Sequence, residues 1–137
     1  MTRGLALAGA AESFLGCAFR ANGRVPEIGL DCIGLLQAAF EQAGIPARLP
    51  VGYRLRTGDW SGLDDWAGKL GFVVAEGLLQ PGDVCLFRPS PMQMHFAIAG
   101  TDGLSFVEAH AGLRRVVLTP SPYPHPAVRR WRLAPDT

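Results

Sequence analysis

The spacing of apolar residues changes part-way along the chain, and this change limits the folds that the chain can adopt. Up to Leu70, apolar residues recur every three or four positions, as they do on one face of an amphipathic helix. From Pro81 onwards they form short runs that turn residues separate, as in β-strands. A helical half followed by a strand-rich half predicts an α+β domain, with N-terminal helices packed on an antiparallel β-sheet meander.

Three helices are predicted in the helical half. The first covers about residues 4–16, the second begins near Cys32, and the third begins at Ser61. Asp31 is a good N-cap for the second helix, and Asp64 follows Ser61 at the spacing of a capping box. These boundaries place Cys32 in the first turn of its helix.

Five strands and one long loop are predicted in the strand-rich half. The strands are the segments 84–88, 95–100, 104–110, 114–119 and 127–133. Gly100 and Gly103 flank the connection between the second and third strands, which is typical of a hairpin. Alternate prolines in "PSPYPHP" cannot donate to a ladder and predict an extended surface loop. Because the chain has no internal repeat or low-complexity linker, we predict a single domain over residues 1–137.

The composition disfavours several classes of function. A formal net charge of +1 gives no overall field for nucleic acid or a membrane surface, and no apolar run approaches the length of a membrane span. The three cysteines include no CxxC pair, which argues against a disulfide framework and favours a reducing compartment. The short apolar stretch after Arg3 fits a structural helix better than a signal peptide, so we expect synthesis in the cytoplasm.

Cys32 is the first candidate for a chemical role. At a helix N-terminus, the free N–H groups and the helix dipole favour a thiolate and can stabilise an oxyanion. Gly34 is expected to leave the surface beside the sulfur open. The alternative is a cysteine that is simply packed in the core, and from this feature alone that is the more common case.

A nucleophilic cysteine needs a base, usually a histidine, and often a third polar group that orients the base. His125 lies among prolines and is set aside, whereas His95 begins one hairpin strand and His110 ends the other. If opposed residue numbers add to an odd sum, His95, Glu108 and His110 face the same side, and an even sum separates them. The hydrophobic pattern leaves the register open, so two unrelated polar residues at strand ends are the alternative.

Four motifs in the chain resemble those of the NlpC-type cell-wall cysteine peptidases in order and rough spacing. They are "GLDCIGLL", "LQPGDVCLF", "MHFAIAG" and "FVEAHAG", within a resemblance that extends from about residue 11 to residue 133. The resemblance implies a papain-like core in which Cys32 is the nucleophile, His95 is the general base and acid, and His110 orients His95. It also implies that Phe19 and Asp31 contribute to substrate binding.

The same resemblance implies an activity and a setting. The expected reaction is hydrolysis of the γ-D-glutamyl to diamino-acid bond in peptidoglycan stem peptides, without a cofactor or a metal. The C-terminal part, "FVEAHAGLRRVVLTPSP", looks most like the subgroup encoded with phage tails and gene transfer agents. That likeness implies phage-tail or particle proteins as partners, association with a particle and action on the cell wall. From the net charge and the lack of a long apolar run we expect no nucleic acid as a partner and no membrane insertion.

Related functions remain open at the same residues. An amidase or an acyltransferase would use the same cysteine and histidine. An inert or weakly active structural tail subunit is favoured by Phe19, which stands where the family usually has tyrosine and cannot donate a hydroxyl hydrogen bond.

Two further alternatives use other residues. A zinc site could be built from Cys32, Cys85, His95 and His110, although these lack the usual close paired spacing. A nucleic-acid surface could be built from Arg114, Arg115, Arg129, Arg130 and Arg132. Because these arginines alternate faces along strands, a solvated sheet edge is favoured instead. Cys85 is expected to be core packing, and Cys17 is assigned no role.

Overall fold

The computed structural model describes residues 2–46, 62–91 and 93–135. The helices in these ranges are α1 (Arg3–Glu12), α2 (Cys32–Gln42) and α3 (Leu63–Lys69). The strands are β1 (Arg24–Val25), β2 (Gly29–Leu30), β3 (Phe72–Val74), β4 (Val84–Ser90), β5 (Gln93–Ala99), β6 (Ser105–His110), β7 (Arg115–Pro120) and β8 (Ala127–Leu133). In the described part of the chain, the helices are all too short or too polar to cross a membrane.

The helix α1 is shorter than the sequence predicts. It begins where Thr2 accepts a hydrogen bond from the backbone N–H of Leu5 at 3.1 Å, and it ends at Glu12. Beyond that point the backbone N–H groups of Phe14 and Leu15 bond to carbonyls three residues back, and Gly16 takes a φ of +91°. The segment 13–16 is therefore a series of turns instead of the predicted continuation of the helix.

The helix α2 begins and ends as its sequence predicts. Asp31 accepts a hydrogen bond from the backbone N–H of Gly34 at 2.8 Å, which caps the first turn and puts Cys32 at the first helical position. At the other end Gly44 has a φ of +75°, and the N–H of Ile45 reaches back to the carbonyl of Phe40 at 2.8 Å. A left-handed glycine followed by such a long backward bond is a common way to end a helix.

The predicted capping box of α3 depends on Ser61, which lies outside the described residues. The described N-cap is Gly62, which has no side chain to accept a hydrogen bond from the first turn. The Asp64 carboxylate instead binds the guanidinium of Arg129 and accepts a hydrogen bond from Trp131 Nε1 at 2.8 Å. Trp131 is only 1% exposed, so its buried indole N–H requires an acceptor that Asp64 supplies.

The main sheet has six strands in the order β3-β8-β4-β5-β6-β7, and all neighbouring pairs are antiparallel. The strands β4 to β7 form the predicted meander. The last strand, β8, returns to lie between β3 and β4, so it is not the solvated sheet edge that the sequence suggested. This pairing joins segments about 45 residues apart, which local sequence patterns do not encode.

The two faces of this sheet carry two separate apolar clusters. The larger cluster packs the three helices against one face and includes Phe96 and Ile98 of β5. The smaller cluster lies on the opposite face and contains Cys85, Phe87, Ala97 and Phe106, with Leu79 and Tyr123 packed against it. Side chains alternate along a strand, so His95 and Glu108 belong to the face of the smaller cluster.

A buried ion-pair network at the start of β4 ties this strand to β8. The Asp83 carboxylate is 0% exposed and binds Arg130 Nη1 at 2.9 Å and Arg132 Nε at 2.8 Å. The guanidinium groups also donate to the carbonyls of Gly77 and Leu78. These arginines therefore make internal contacts, which weakens the case for a nucleic-acid surface built from them.

Replacing Asp83 with asparagine is expected to lower the free energy of unfolding by about 3–5 kcal/mol, because two arginines would lose their buried counter-charge. Urea unfolding followed by circular dichroism measures the change. The matched control is Asp65→Asn, which breaks an exposed pair with Lys69 and should change stability little. Equal small effects for both variants would contradict a structural role for the buried pair.

Candidate active site

The sequence around Cys32 builds a rigid helix start. The Asp31 carboxylate accepts hydrogen bonds from the N–H of Asn22 at 3.0 Å and from Arg24 Nη1 at 2.6 Å, in addition to its cap on Gly34. The loop of residues 20–24 is therefore fastened to the first turn of α2. Cys32 itself is partly buried and packs against the larger apolar cluster.

Gly34 serves a different purpose from the one predicted. Gly34 is buried, and a Cβ atom at this position would lie 2.1 Å from the carbonyl oxygen of Gly23. The missing side chain lets the neighbouring loop approach the helix, so it does not open the surface beside the sulfur. The preference for glycine here is thus a packing requirement of the helix start.

The hairpin register puts His95 and Glu108 on the same face of the sheet. The pairs Ile98–Val107 and Ala99–Phe106 have odd sums, so of the two alternative registers the structure has the one that puts His95, Glu108 and His110 on the same face. His95 lies near the start of β5, and its interaction with the neighbouring Cys32 helps to raise the pKa of its ring. His95 Nε2 faces Glu108 Oε1 at 3.0 Å, which leaves Nδ1 as the ring nitrogen for the cysteine.

The structure corrects the expectation for His110. Its Nδ1 accepts a hydrogen bond from the backbone N–H of Leu113 at 3.0 Å, within the turn that follows β6. The residue that contacts the ring of His95 is Glu108. The backbone pairing of β5 with β6 ends at Ile98 and Val107, so it does not hold His110 opposite His95. The Glu108 carboxylate bonds to His95 Nε2 instead.

A sequence signal for Glu108 was present. It is a charged residue between Val107 and Ala109 in an otherwise apolar strand, on the predicted face of His95. A carboxylate is rarely fully buried without a partner, so such a residue indicates a paired or functional group.

Glu108 is buried and fully engaged. It is 2% exposed, and its Oε1 accepts hydrogen bonds from both His95 and the Tyr123 hydroxyl, the latter at 2.5 Å. Its Oε2 accepts a hydrogen bond from the Thr119 hydroxyl. Burial alone would raise the pKa of Glu108, but these three donors outweigh it and hold the pKa at about 2. Glu108 is therefore ionised throughout the neutral range.

The surroundings of His95 keep the imidazole protonated. Burial disfavours the charged ring, yet the hydrogen bonds to Cys32 and Glu108 and their charges raise the pKa of His95 to about 9. At neutral pH the ring is consequently an imidazolium between the cysteine and an ionised carboxylate. This arrangement can supply a proton to a leaving group and can stabilise a neighbouring thiolate.

The residues predicted to bind substrate have internal partners in the structure. The ring of Phe19 packs against the larger cluster, and its backbone N–H donates to the carbonyl of Arg114 at 2.9 Å. The Asp31 carboxylate accepts hydrogen bonds from three donors at the helix start. Their contribution to substrate binding remains a prediction.

The other cysteines differ from Cys32 in their surroundings. Cys85 is 2% exposed in the smaller cluster, and burial raises the pKa of its thiol to about 12. Cys17 is partly buried at the border of the larger cluster. Within residues 2–46, 62–91 and 93–135, no three His, Cys, Asp or Glu side chains form a group that could hold a metal ion.

Two solved structures share this architecture. NlpC2 from Trichomonas vaginalis superposes with a TM-score of 0.71 at 22% identity, over 99% of this chain and 48% of its own. NlpC1 from the same organism gives a TM-score of 0.71 at 25% identity, over 96% of this chain and 45% of its own. The fold is NlpC-like.

This likeness extends to the papain-like α+β core, in which a helix carrying the cysteine packs against an antiparallel sheet. The chain spans less than half the length of either NlpC protein. No family model matches the sequence, and no curated protein matches it either. The comparisons therefore establish the fold, and the geometry of Cys32, His95 and Glu108 supports the functional argument.

Proposed function

We propose that this chain is a cysteine peptidase that hydrolyses amide bonds in peptidoglycan stem peptides. The observation that carries the proposal is the hydrogen bond at 3.0 Å between His95 Nε2 and the buried Glu108, with Cys32 at the start of α2 close enough to affect the pKa of His95. A nucleophile, a base and a group that orients the base are the parts that acyl transfer through cysteine requires.

In the proposed reaction the sulfur of Cys32 attacks the carbonyl carbon of the scissile amide. The N–H of Gly34 already donates to Asp31. The resulting oxyanion would be stabilised by the backbone N–H groups of Cys32 and Ile33, which precede Gly34 in the first turn of α2. The imidazolium of His95 gives its proton to the leaving amine, and a thioester remains. His95 then takes a proton from water as the water attacks the thioester, which releases the acid and restores the Cys32 thiolate beside the protonated His95.

The substrate class comes from the NlpC-like fold and from the motifs around Cys32 and His95. The bond proposed is the one between the γ-carboxyl of D-glutamate and the diamino acid of the stem peptide. The likeness of the C-terminal sequence to the phage-tail and gene-transfer-agent subgroup supports a particle-associated enzyme, with particle proteins as partners that bring it to the cell wall.

Purified peptidoglycan treated with the wild-type chain is expected to release fragments cut within the stem peptide, and Cys32→Ala should release none. Mass spectrometry of the soluble fragments identifies the bond. Release of intact stem peptides together with free lactyl groups would instead identify an amidase. If no fragment appears at high enzyme concentration with reduced thiols, the peptidase proposal is wrong.

The second candidate function is a structural tail subunit without significant turnover. The observation in its favour is Phe19, which offers no hydroxyl near the nucleophile and packs its ring against the larger cluster. The same digestion separates the two functions, because a structural subunit would leave every muropeptide intact.

A further inference from the structure

The loop of residues 121–126 joins β7 to β8 and sends one side chain inward to the candidate site. Its other residues are exposed, whereas Tyr123 is partly buried and its hydroxyl donates to Glu108 Oε1 at 2.5 Å. The Tyr123 ring stacks on Phe87 with centroids 4.0 Å apart, and it meets Phe106 edge-on at 5.7 Å. The predicted surface loop is thus anchored on the carboxylate that contacts His95.

The anchor completes the coordination of Glu108. With Tyr123 and His95 on Oε1 and Thr119 on Oε2, both carboxylate oxygens accept hydrogen bonds from fixed groups. The Glu108 side chain is only 3% exposed. A free carboxylate rotates about its last bonds, whereas one held at both oxygens keeps a single orientation toward the ring of His95.

We propose that Tyr123 is a positioning residue, whose hydroxyl fixes Glu108 so that the carboxylate directs the His95 ring at Cys32. The inference deepens the proposed function, since it rests on the same three groups. Burial and the hydrogen bond to Glu108 both raise the pKa of Tyr123. The hydroxyl therefore keeps its proton, and remains a donor, over the pH range in which His95 titrates.

The test removes one hydroxyl and observes the site without a substrate. Tyr123→Phe keeps the stacking on Phe87 and deletes only the donor. The imidazole N–H proton between His95 and Glu108, seen by nuclear magnetic resonance, should broaden through faster exchange with water. Alkylation of Cys32 by iodoacetamide at pH 7 should slow about three- to tenfold, the effect of one lost hydrogen bond. Glu76→Gln, an exposed change in another loop, serves as the control and should alter neither signal.

A double-mutant cycle separates positioning from general packing. In a Glu108→Gln background, adding Tyr123→Phe should cause no further slowing of alkylation, because the hydroxyl acts only through the carboxylate. Thr119→Val removes the donor to Glu108 Oε2, so it should broaden the N–H signal and slow alkylation as Tyr123→Phe does. Thr119→Ser keeps a hydroxyl and should give the wild-type signal and rate. The Thr119 pair also keeps the test valid if Tyr123→Phe fails to fold.

Two results would overturn the proposal. One is an unchanged N–H signal and alkylation rate in folded Tyr123→Phe. The other is an effect of the same size with and without the Glu108 carboxylate. Since neither measurement uses peptidoglycan, a failure of the proposed peptidase function would show in the digestion and leave these readouts intact.

Discussion

Limiting iodoacetamide at pH 7 is expected to modify Cys32 in the folded protein and to leave Cys85 unmodified. Cys85 is 2% exposed and burial raises its pKa to about 12, so its reactive thiolate is scarce at pH 7. Cys32 is only partly buried and lies at the start of a helix, so the reagent reaches its sulfur more easily than that of Cys85. Peptide mapping after a short reaction measures the ratio of the two labels.

His95→Ala should slow the labelling of Cys32, because it removes the positive charge and leaves only the helix start. The control is Glu76→Gln, an exposed change in another loop. Stoichiometric modification of Cys32 should also abolish hydrolysis of peptidoglycan. Equal labelling of all three cysteines, or full activity after modification of Cys32, would mean that Cys32 is only a packed thiol at a helix start and has no catalytic role.

Local sequence signals predicted the parts of the site that local structure determines. The cap at Asp31, the start of α2 at Cys32 and the glycine at its end all depend on neighbouring residues. The odd-sum register of the hairpin was one of two alternatives, and the structure selected it. These features fix where the nucleophile and its histidine lie.

The parts that sequence reasoning missed depend on contacts between distant segments. The position of β8 beside β4 follows from the pairing of Asp83 with Arg130 and Arg132, which lie almost fifty residues later. To predict whether Glu108 or His110 bonds to the ring of His95, one has to know where β5 and β6 stop pairing. The role of Gly34 required the approach of Gly23, since a glycine in a sequence does not reveal which neighbour needs the space.

Glu108→Gln is expected to displace the alkaline limit of hydrolysis, and His110→Ala is not. In the proposed mechanism the rate depends on protonated His95, so the wild-type rate should fall as the pH rises through its pKa of about 9. Glutamine keeps the shape of Glu108 but removes the negative charge that raises this pKa. Without that charge, burial lowers the pKa of His95, and the alkaline limit of the rate should move down by about one to three pH units.

The wild type and Glu108→Gln should also differ in stability, in the acid pH range. The folded pKa of Glu108, about 2, lies below its ordinary value of 4.5. The ionised group therefore adds stability above pH 4.5, and that contribution is lost as the pH falls from about 4.5 through 2. Glu108→Gln should lack this part of the acid transition in urea unfolding followed between pH 2 and 6, whereas the control Glu76→Gln, an exposed change, should retain it.

Rate profiles of the four proteins between pH 5 and 10 decide which side chain supports His95. If the structure is right, Glu108→Gln alone has its alkaline limit displaced, while His110→Ala and Glu76→Gln follow the wild type. A displaced limit in His110→Ala with an unchanged one in Glu108→Gln would restore the role that the motifs gave to His110. Such a result would mean that the hydrogen bond from His95 Nε2 to Glu108 does not persist during turnover.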